Sequence, residues 1–487
     1  MKTIYRFFLG SILLSIGAYY ASAALVNEKP NIIFILADDL GYGEVGCYGQ
    51  KLIKTPNIDR LAAEGIKFTQ FYAGSTVCAP SRSVLMTGQH IGHTRVRGNA
   101  GGKNFEPQML KNEDITVAEV LKTVGYKTAL IGKWGLGMPG DEGVPNKQGF
   151  DYFFGYLSQH HAHNHYPDYL YRNDEVVPLP NGVVRVGEFG GGYATNRVVY
   201  ADDLFAKEAV DFIEQNRNQP FFLFFSSIIP HANNERANAL KDGNEVPDYG
   251  IYSNMNWSNP DKGHAAMISR LDSQIGEIVK KLDELGLTEK TVIIFTSDNG
   301  ATKEGNHSPD FFRASGPLRG IKRDLYEGGI RVPFIVKWKG KIKPGAVSDH
   351  VGYFGDLMAT FAELSGAVPP TDTDSISIVP ALLGKTNIQK NHKFLYWEFH
   401  ERGFSQAVLL DGRWKGIRLL RRTAPIELYD LKNDISEQHN IADKHPEIVE
   451  EIKYLMDIAR ADNPLWQPKD LPENQGNPTK RSARQTK

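Results

Sequence analysis

Short, continuous apolar segments recur along the chain and predict strands that are buried on both faces. Residues 31–37 read Asn-Ile-Ile-Phe-Ile-Leu-Ala, and residues 291–297 read Thr-Val-Ile-Ile-Phe-Thr-Ser. A third such segment, residues 221–225, consists of phenylalanine and leucine. Segments of this kind are typical of the central strands of a parallel sheet, which helices cover on both sides.

Helices with readable ends separate these strands. Thr55 and Pro56 mark the start of one helix and Gly65 marks its end. A capping box at Thr116 begins another helix, which Gly125 ends. Residues 261–287 carry apolar side chains at helical spacing. The alternation predicts an α/β fold with a mostly parallel central sheet flanked by helices. Ligands of such sheets bind beyond the carboxyl ends of the strands.

The apolar pattern changes near residue 370, where two prolines and a polar stretch interrupt it. Beyond this point, residues 393–399, 405–410 and 414–420 predict antiparallel strands, and residues 447–459 predict a covering helix. We therefore expect four parts along the chain: a signal peptide (1–23), a large N-terminal domain (24–370), a smaller C-terminal α+β domain (371–470) and a polar tail (471–487).

The first 23 residues have the three regions of a secretory signal peptide. Lys2 and Arg6 precede an apolar segment, residues 7–20, and the small residues Ala-Ser-Ala follow it. The apolar segment is shorter than the roughly 20 residues that a spanning helix needs, which disfavours a membrane anchor. We expect export to a periplasm or to the cell exterior. The net charge of -1 argues against a general nucleic-acid or membrane-surface binder.

The chain contains two cysteines, Cys47 and Cys78. In an exported protein, two cysteines by number alone predict a single disulfide bond between them. The residues around Cys78 indicate a different use for that thiol.

Cys78 begins the sequence Cys-Ala-Pro-Ser-Arg, which Thr87-Gly88 follows. This motif resembles the signature of the type I sulfatases in the alkaline phosphatase superfamily. Further segments resemble motifs of the same family along almost the whole mature chain: Ala37-Asp38-Asp39, residues 55–61, Gly132-Lys133-Trp134 and residues 326–329. The resemblance implies hydrolysis of sulfate esters by an alkaline-phosphatase-like fold. It also implies a partner, the formylglycine-generating maturation enzyme, which would oxidise Cys78 to formylglycine.

An aldehyde hydrate suits sulfate transfer better than a thiol does. A free thiol has a pKa of about 8.5 and is weakly ionised at neutral pH. In the hydrate, one hydroxyl attacks sulfur and the second allows the sulfate to leave as the aldehyde re-forms. Pro80 is suited to the start of a helix, so we expect residue 78 to lie where free backbone N–H groups face an anion.

Two pairs of oxygen-bearing side chains follow the predicted strands and are candidates for a metal site. Asp38 and Asp39 come directly after the first strand, and Asp298 and Asn299 come after another. Oxygen ligands without histidine or cysteine select a hard cation, and Ca²⁺ suits them better than Mg²⁺. Each pair alone is equally compatible with a helix cap or a turn. Two pairs at matching strand ends favour a shared ion.

The resemblance also supplies positive charges for the sulfate group. It gives this role to Arg82, Lys133 and Lys322, and it places His231 to contact sulfate and to protonate the leaving alcohol. Taken singly, each basic residue is more often a solvated surface charge. Their positions within matched motifs favour the functional interpretation.

One position departs from the family pattern. Many sulfatases read Gly-Lys-Trp-His-Leu-Gly, with the histidine as the presumed base, whereas this chain has Gly135 in that place. We consider His163 and His93 as alternative bases and substrate contacts. His163 belongs to a group of four histidines in residues 160–165, which by composition also suits a transition-metal site or a surface loop.

Loops rich in histidine and tyrosine, at residues 155–171, and the polar segment 397–402 suit stacking and hydrogen bonding with a sugar. We therefore expect a sulfated glycan as substrate, with a galactose-type residue as the specific hypothesis. Two alternatives stay open: a phosphonate or phosphate ester hydrolase of the same superfamily, and a non-catalytic calcium-dependent glycan-binding protein.

Overall fold

The structure is a computed structural model that describes residues 29–100 and 105–472. The predicted signal peptide and residues 473–487 of the predicted tail lie outside the described residues. Within the described part, no helix combines the length and the apolar character that crossing a membrane would require.

The described residues form the following strands and α-helices. The strands are β1 (Asn31–Ala37), β2 (Ile66–Phe68), β3 (Phe71–Tyr72), β4 (Lys127–Lys133), β5 (Tyr152–Tyr156), β6 (Tyr169–Arg172), β7 (Glu175–Pro178), β8 (Gly182–Arg185), β9 (Gly192–Asn196), β10 (Phe221–Ser226), β11 (Thr291–Ser297), β12 (Phe334–Lys337), β13 (Ala346–Ser348), β14 (Gly352–Tyr353), β15 (Phe394–Phe399), β16 (Ser405–Leu410), β17 (Trp414–Arg418) and β18 (Glu427–Asp430). The α-helices are α1 (Pro56–Glu64), α2 (Cys78–Thr87), α3 (Val117–Lys122), α4 (Ala201–Gln215), α5 (Asn234–Leu240), α6 (Asn259–Glu284), α7 (Pro309–Phe312), α8 (Glu327–Ile330), α9 (Asp356–Ser365), α10 (Val379–Leu382) and α11 (Pro446–Ile458).

A ten-stranded mixed sheet forms the centre of the molecule, in the order β13-β2-β12-β11-β1-β10-β4-β5-β6-β7. Its five middle strands, from β11 to β5, run parallel to one another. Antiparallel pairs extend the sheet from β11 to β12 on one side and from β5 to β6 on the other. The predicted mostly parallel sheet is therefore confirmed.

Both faces of this sheet are covered. Along β1, Ile32, Phe34 and Leu36 belong to one apolar core, and Ile33 and Ile35 belong to the other. Helices α2, α3 and α9 contribute to the first core, whereas α1, α4 and α6 contribute to the second. Since successive side chains of a strand point to opposite faces, burial on both sides requires the continuous apolar segments seen in the sequence.

Two predicted helix ends differ in detail from the structure. Helix α1 has the predicted bounds, but the Thr55 hydroxyl donates to Asp59 and does not cap the helix. The capping box of Thr116 and Glu119 is present at the start of α3. That helix stops at residue 122, before Gly125, where the sequence predicted its end.

The C-terminal part forms a second, smaller sheet of four antiparallel strands, β15-β16-β17-β18. Helix α11 buries Ile452, Leu455 and Met456, and it contributes to the same core as the strands. The predicted antiparallel sheet with a covering helix is confirmed. The fourth strand, β18, was missed because it is only four residues long and has an acidic residue at each end.

A buried network of charges attaches this small sheet to the main one. Lys415 on β17 donates to Glu327 on α8 at 2.7 Å, and neither side chain is exposed. Glu327 also accepts hydrogen bonds from Arg331 at 2.6 Å and from Tyr72 at 2.8 Å. Burial and the neighbouring Glu327 raise the pKa of Glu437, on the loop after β18, to about 8, so that this carboxyl is largely protonated at neutral pH.

Replacing Lys415 is expected to destabilise the fold strongly. Lys415→Met leaves Glu327 buried with one positive partner fewer, and breaking a buried ion pair costs about 3–5 kcal/mol. Urea unfolding followed by tryptophan fluorescence measures this loss. Lys393→Met is the matched control, because Lys393 pairs with Glu451 at the surface of the same sheet. A control variant as unstable as Lys415→Met would contradict the prediction.

Candidate active site

The two acidic pairs of the sequence meet at one edge of the central sheet. Strands β1 and β11 are parallel neighbours with Ala37 opposite Ser297, so the residues that follow them are adjacent. The Asp39 backbone N–H donates to Asp298 Oδ1 at 3.1 Å, and Asn299 Nδ2 donates to Asp39 Oδ1 at 2.8 Å.

A tight approach of two backbones holds this edge in place. A Cβ atom at position 300 would lie 1.8 Å from the carbonyl oxygen of Gly328 on α8. Only glycine permits that distance, since real Cβ contacts are far longer. The Asp298–Asn299 turn therefore packs directly on the Tyr-Glu-Gly-Gly segment, which also holds Glu327 of the buried network.

Helix α2 begins at Cys78 and delivers this residue to the acidic edge. All ten residues of the helix are buried. Cys78 Sγ lies 3.4 Å from Asp38 Oδ1 and 4.0 Å from Asp39 Oδ1. Both Cys47 and Cys78 are free, so the disulfide predicted from the cysteine count alone is wrong. Burial, together with Asp38, raises the pKa of the Cys78 thiol well above its usual value, which leaves the thiol neutral.

Two lysines neutralise the first acidic pair. Lys133, at the end of β4, donates to Asp38 Oδ2 at 2.6 Å, and Lys322 donates to Asp39 Oδ2 at 2.7 Å. Burial alone would lower the pKa of either lysine, but the adjacent carboxylates hold both pKa values above the usual one. The two side chains are buried, so they are not solvated surface charges.

Arg82, one turn into α2, neutralises the third carboxylate. Its Nε and Nη2 atoms donate to Asp298 Oδ2 at 3.1 and 2.9 Å. Its Nη1 donates to the Lys133 carbonyl oxygen at 2.9 Å and to Ser226 Oγ at 2.6 Å. The guanidinium thus connects α2 with the ends of β4, β10 and β11.

The cluster balances three carboxylates with three cations. Burial and the nearby Asp38 raise the pKa of Asp298 to about 7. Burial would also raise the pKa of Asp38, but Lys133 keeps it well below its usual value. An upward shift of this kind indicates crowding of negative charge. A divalent cation would relieve that crowding and would leave a net positive site for an anion.

The residues present fit a hard metal ion. The four side chains at the sheet edge offer only oxygen, which Ca²⁺ and Mg²⁺ prefer. Asn299 Oδ1 is buried and accepts no hydrogen bond from the described residues, so one ligand atom is free. Ligand atoms of Asp38, Asp39, Cys78 and His231 also lie within 4.8 Å of one another.

His231 lies beside Lys322 in the same cluster. Its Nε2 is 3.3 Å from Lys322 Nζ and 3.6 Å from Asp39 Oδ2, while its Nδ1 contacts the Ala232 carbonyl oxygen at 2.8 Å. Burial and the charge of Lys322 lower the pKa of His231 to about 4. The ring is therefore neutral at neutral pH. Proton donation from it requires an anion close enough to raise that pKa.

The two histidines considered as bases have different positions. The His163 ring stacks on the His231 ring with centroids 4.9 Å apart, and its Nδ1 contacts Glu235 Oε2 at 3.1 Å. His93 instead contacts Asp374 at 2.9 Å, beyond the far end of α2. A ten-residue helix is about 15 Å long. His163 thus joins the cluster, and His93 does not.

The histidine segment is not a simple surface loop, because His161 and His165 are buried. Burial lowers the pKa of each of these two rings to about 3. His165 Nε2 contacts the His231 carbonyl oxygen at 2.8 Å. No group of metal-ligating atoms within the described residues includes His161 or His165.

Several polar residues around the cluster had no signal in the sequence. Glu304 contacts Lys322 at 3.4 Å and also accepts from Arg323. Arg323 in turn donates to Glu401 at 2.9 Å, which comes from the C-terminal part. These contacts join residues far apart along the chain, and none of them lies in a recognisable motif.

Comparison with known proteins identifies the family. A family model described as "Sulfatase" matches residues 30–367, which is more than half of the chain. A second, described as "N-sulphoglucosamine sulphohydrolase, C-terminal", matches residues 321–461. The chain belongs to the sulfatase family. It is therefore an enzyme that hydrolyses sulfate esters.

Named relatives of this sulfatase match most of its length. The N-acetylgalactosamine-6-O-sulfatase of Bacteroides thetaiotaomicron is 31% identical over 509 residues, covering 89% of this chain and 94% of the relative. Arylsulfatase A of Homo sapiens is 31% identical over 499 residues, covering 91% of this chain and 90% of the relative.

Solved structures confirm the alkaline-phosphatase-like fold of this sulfatase. Ps i-CgsB in complex with k-i-k-neocarrahexaose is similar with a TM-score of 0.72 and 27% identity, covering 88% of this chain and 92% of the other. The PsFucS1 sulfatase from Pseudoalteromonas sp. is similar with a TM-score of 0.69 and 26% identity, covering 91% of this chain and 92% of the other.

Binding of a divalent cation is expected to stabilise the folded protein. A ligand at 100 times its dissociation constant adds about 2.7 kcal/mol to the free energy of unfolding. In chelator-treated protein, added Ca²⁺ or Mg²⁺ should raise the melting temperature, and Asp39→Asn should reduce this effect. Asp374→Asn, in the separate group formed by His90, His93 and Asp374, is the matched control. A shift lost with Asp374→Asn and kept with Asp39→Asn would contradict the assignment.

Proposed function

We propose that this sulfatase removes sulfate groups from a sulfated carbohydrate, with residue 78 acting as the nucleophile after conversion of the cysteine to formylglycine. The observation that carries the proposal is the convergence of Cys78, three buried cations and four side chains with oxygen ligands at one edge of the sheet. A neutral, buried thiol is a poor nucleophile, so the position calls for a different functional group.

Formylglycine, a calcium ion and a maturation enzyme each have a role in this function. A formylglycine residue supplies, as its hydrate, one hydroxyl that attacks sulfur and a second that allows sulfate to be released. A Ca²⁺ ion held by Asp38, Asp39, Asp298 and Asn299 supplies positive charge that lowers the pKa of that hydroxyl. The formylglycine-generating maturation enzyme is the partner that oxidises Cys78.

The protein's own cations bind the sulfate group in this proposal. Lys133 contacts Asp38, and Lys322 contacts both Asp39 and Glu304, so carboxylates fix the two ammonium groups before substrate arrives. Preorganised charge of this kind stabilises the charge that develops during transfer. His231 Nε2 faces the same space as Lys322 Nζ, and a bound sulfate raises the pKa of this ring so that it can protonate the leaving alcohol.

Of the two histidines considered as proton acceptors, we assign the role to His163, because its ring stacks on that of His231. The contact with Glu235 orients its Nδ1 and leaves Nε2 without a hydrogen bond to any described residue. A carboxylate behind an imidazole fixes the tautomer and the orientation of the ring. We assign Glu235 to positioning His163.

The carbohydrate assignment is supported by the relatives and by the rim of the site. The named relatives include an N-acetylgalactosamine-6-O-sulfatase, and one similar structure holds a neocarrahexaose. A row of rings leads away from His231 through His163 and His160 to Phe189, with neighbouring centroids 4.9, 5.6 and 6.3 Å apart. Flat rings beside charged groups suit a sugar better than an enclosed lipid.

The domain organisation and the location belong to the same proposal. Residues 24–370 form the catalytic domain, and residues 371–470 complete the rim through Glu401. Residues 1–23 direct export to a periplasm or to the cell exterior. A sulfated extracellular polysaccharide is then accessible to it.

Conversion of Cys78 is expected to be a condition for activity. Cys78→Ala should lower kcat by at least about 1000-fold, because it removes the nucleophile. Cys47→Ala is the matched control and should keep activity, since Cys47 lies outside the cluster. Mass spectrometry of the peptide that contains residue 78 should show an aldehyde in protein from a host with the maturation enzyme. An intact thiol in fully active protein would overturn the proposal.

The substrate class is tested with a panel of sulfated oligosaccharides, steroid sulfates, aryl sulfates and phosphate esters. We expect the highest kcat/KM with a sulfated sugar, and galactose-type 6-sulfates are the first to assay. Turnover of steroid sulfates alone would refute the carbohydrate assignment. A preference for phosphate esters would favour the related hydrolases. Binding of glycans without turnover of any ester would favour a non-catalytic relative.

A further inference from the structure

Gln159 fills the space beside the glycine that departs from the family pattern. A Cβ atom at position 135 would lie 2.2 Å from Gln159 Nε2 and 2.9 Å from its Cδ. Gly135 has a φ angle of +89°, a backbone conformation that residues other than glycine rarely adopt. The small residue and the amide are therefore complementary, and a larger residue at position 135 would displace Gln159.

The Gln159 amide is buried without a partner. The residue is 8% exposed, and its Nε2 makes no hydrogen bond in the described structure. An unsatisfied buried donor is unfavourable, because its desolvation is not repaid by a hydrogen bond. Buried amides of this kind are expected where a ligand provides the acceptor.

Two neighbouring segments bring Gln159 near the cluster of Asp38 and Lys133. Gly135 follows Lys133, whose ammonium contacts Asp38, by two residues. The Gly135 N–H donates to the Leu157 carbonyl oxygen at 3.0 Å, which holds the segment before Gln159 against the end of β4. The next residue, His160, contacts the His163 ring and lies close enough for the charge of Lys133 to lower its pKa.

A second glutamine fixes the other side of Gly135. Gln108 Nε2 donates to the Gly135 carbonyl oxygen at 2.7 Å, and Gln108 Oε1 accepts from the Ala100 N–H at 2.7 Å. The neighbouring Asn99 side chain accepts from the Ala79 N–H at 3.2 Å, next to Cys78. Gly135 is thus held rigidly between the start of α2 and Gln159.

We propose that Gln159 binds the sulfate group of the substrate through Nε2, with Gly135 providing the space for the amide. This inference rests on the proposed function, since it names a further substrate-binding residue of the same site. An amide has no titratable proton at neutral pH, so Gln159 donates a hydrogen bond and does not act as a base. Sulfate oxygens accept such hydrogen bonds from a fixed donor.

Variants at position 159 separate binding from folding. Gln159→Leu keeps the volume and removes the donor, and we expect a loss of roughly 10- to 100-fold in kcat/KM for sulfate esters, the effect of one hydrogen bond to a charged group. Isothermal titration calorimetry with inorganic sulfate should show a dissociation constant that is larger by a similar factor. Gly135→Ala should produce the same defects by displacing the amide.

Gln159→Glu provides a readout that a purely structural role would not produce. The carboxylate repels sulfate at neutral pH, so the loss should exceed that of Gln159→Leu. Burial raises the pKa of a glutamate, and the protonated form donates a hydrogen bond again. The activity of Gln159→Glu relative to the native enzyme should therefore rise as pH falls, while the ratio for Gln159→Leu stays constant.

Gln274→Leu is the matched control, because Gln274 is also a buried glutamine but lies on α6, where its Nε2 contacts Asp203 at 3.3 Å. It should leave both sulfate binding and kcat/KM unchanged. If Gln159→Leu and Gly135→Ala bind sulfate and turn over substrate like the native enzyme, the inference is overturned and the proposed function stands. If the native enzyme neither binds sulfate nor hydrolyses its esters, the proposed function fails, and this inference fails with it.

Discussion

Mutual neutralisation of buried charges at one edge of the sheet is the constraint on which the site depends. Three carboxylates and three cations lie there without access to bulk water, and each would be very costly to bury alone. Each cation contacts a different carboxylate: Lys133 with Asp38, Lys322 with Asp39, and Arg82 with Asp298. Because these residues come from different strands, loops and a helix, the cluster forms only when the whole sheet has assembled.

The Tyr-Glu-Gly-Gly segment connects this cluster with the C-terminal sheet. On one side, Gly328 packs on the turn that holds Asp298 and Asn299. On the other side, Glu327 accepts the hydrogen bond of Lys415. The four-residue helix α8 thus contacts both the turn that holds Asp298 and Asn299 and the small C-terminal sheet.

The surroundings of the cluster divide into a fixed part and a variable part. The charged residues are held by buried ion pairs, whereas the rim consists of loops that carry His160, Phe189 and Glu401. Relatives of similar overall identity bear the names of sugar and aryl sulfatases. Specificity can differ between such enzymes without any change in the cluster, because loops tolerate substitution far better than a buried network does. The pair of Gly135 and Gln159 lies at the boundary between the two parts.

The sequence by itself determined the features that have a local signature. Continuous apolar segments identified the central strands, and the acidic pairs directly after two of them identified an oxygen-rich edge, because parallel strands end on the same side of a sheet. The motif at Cys78 identified the family and predicted the reactive position. Only the tertiary structure decided which histidine joins the site. His163 meets Glu235 across 72 residues, whereas His93 is directed to Asp374. The short strand β18, Glu304 and Gln159 were likewise beyond prediction, since their roles arise from contacts between distant segments that leave no pattern in the chain.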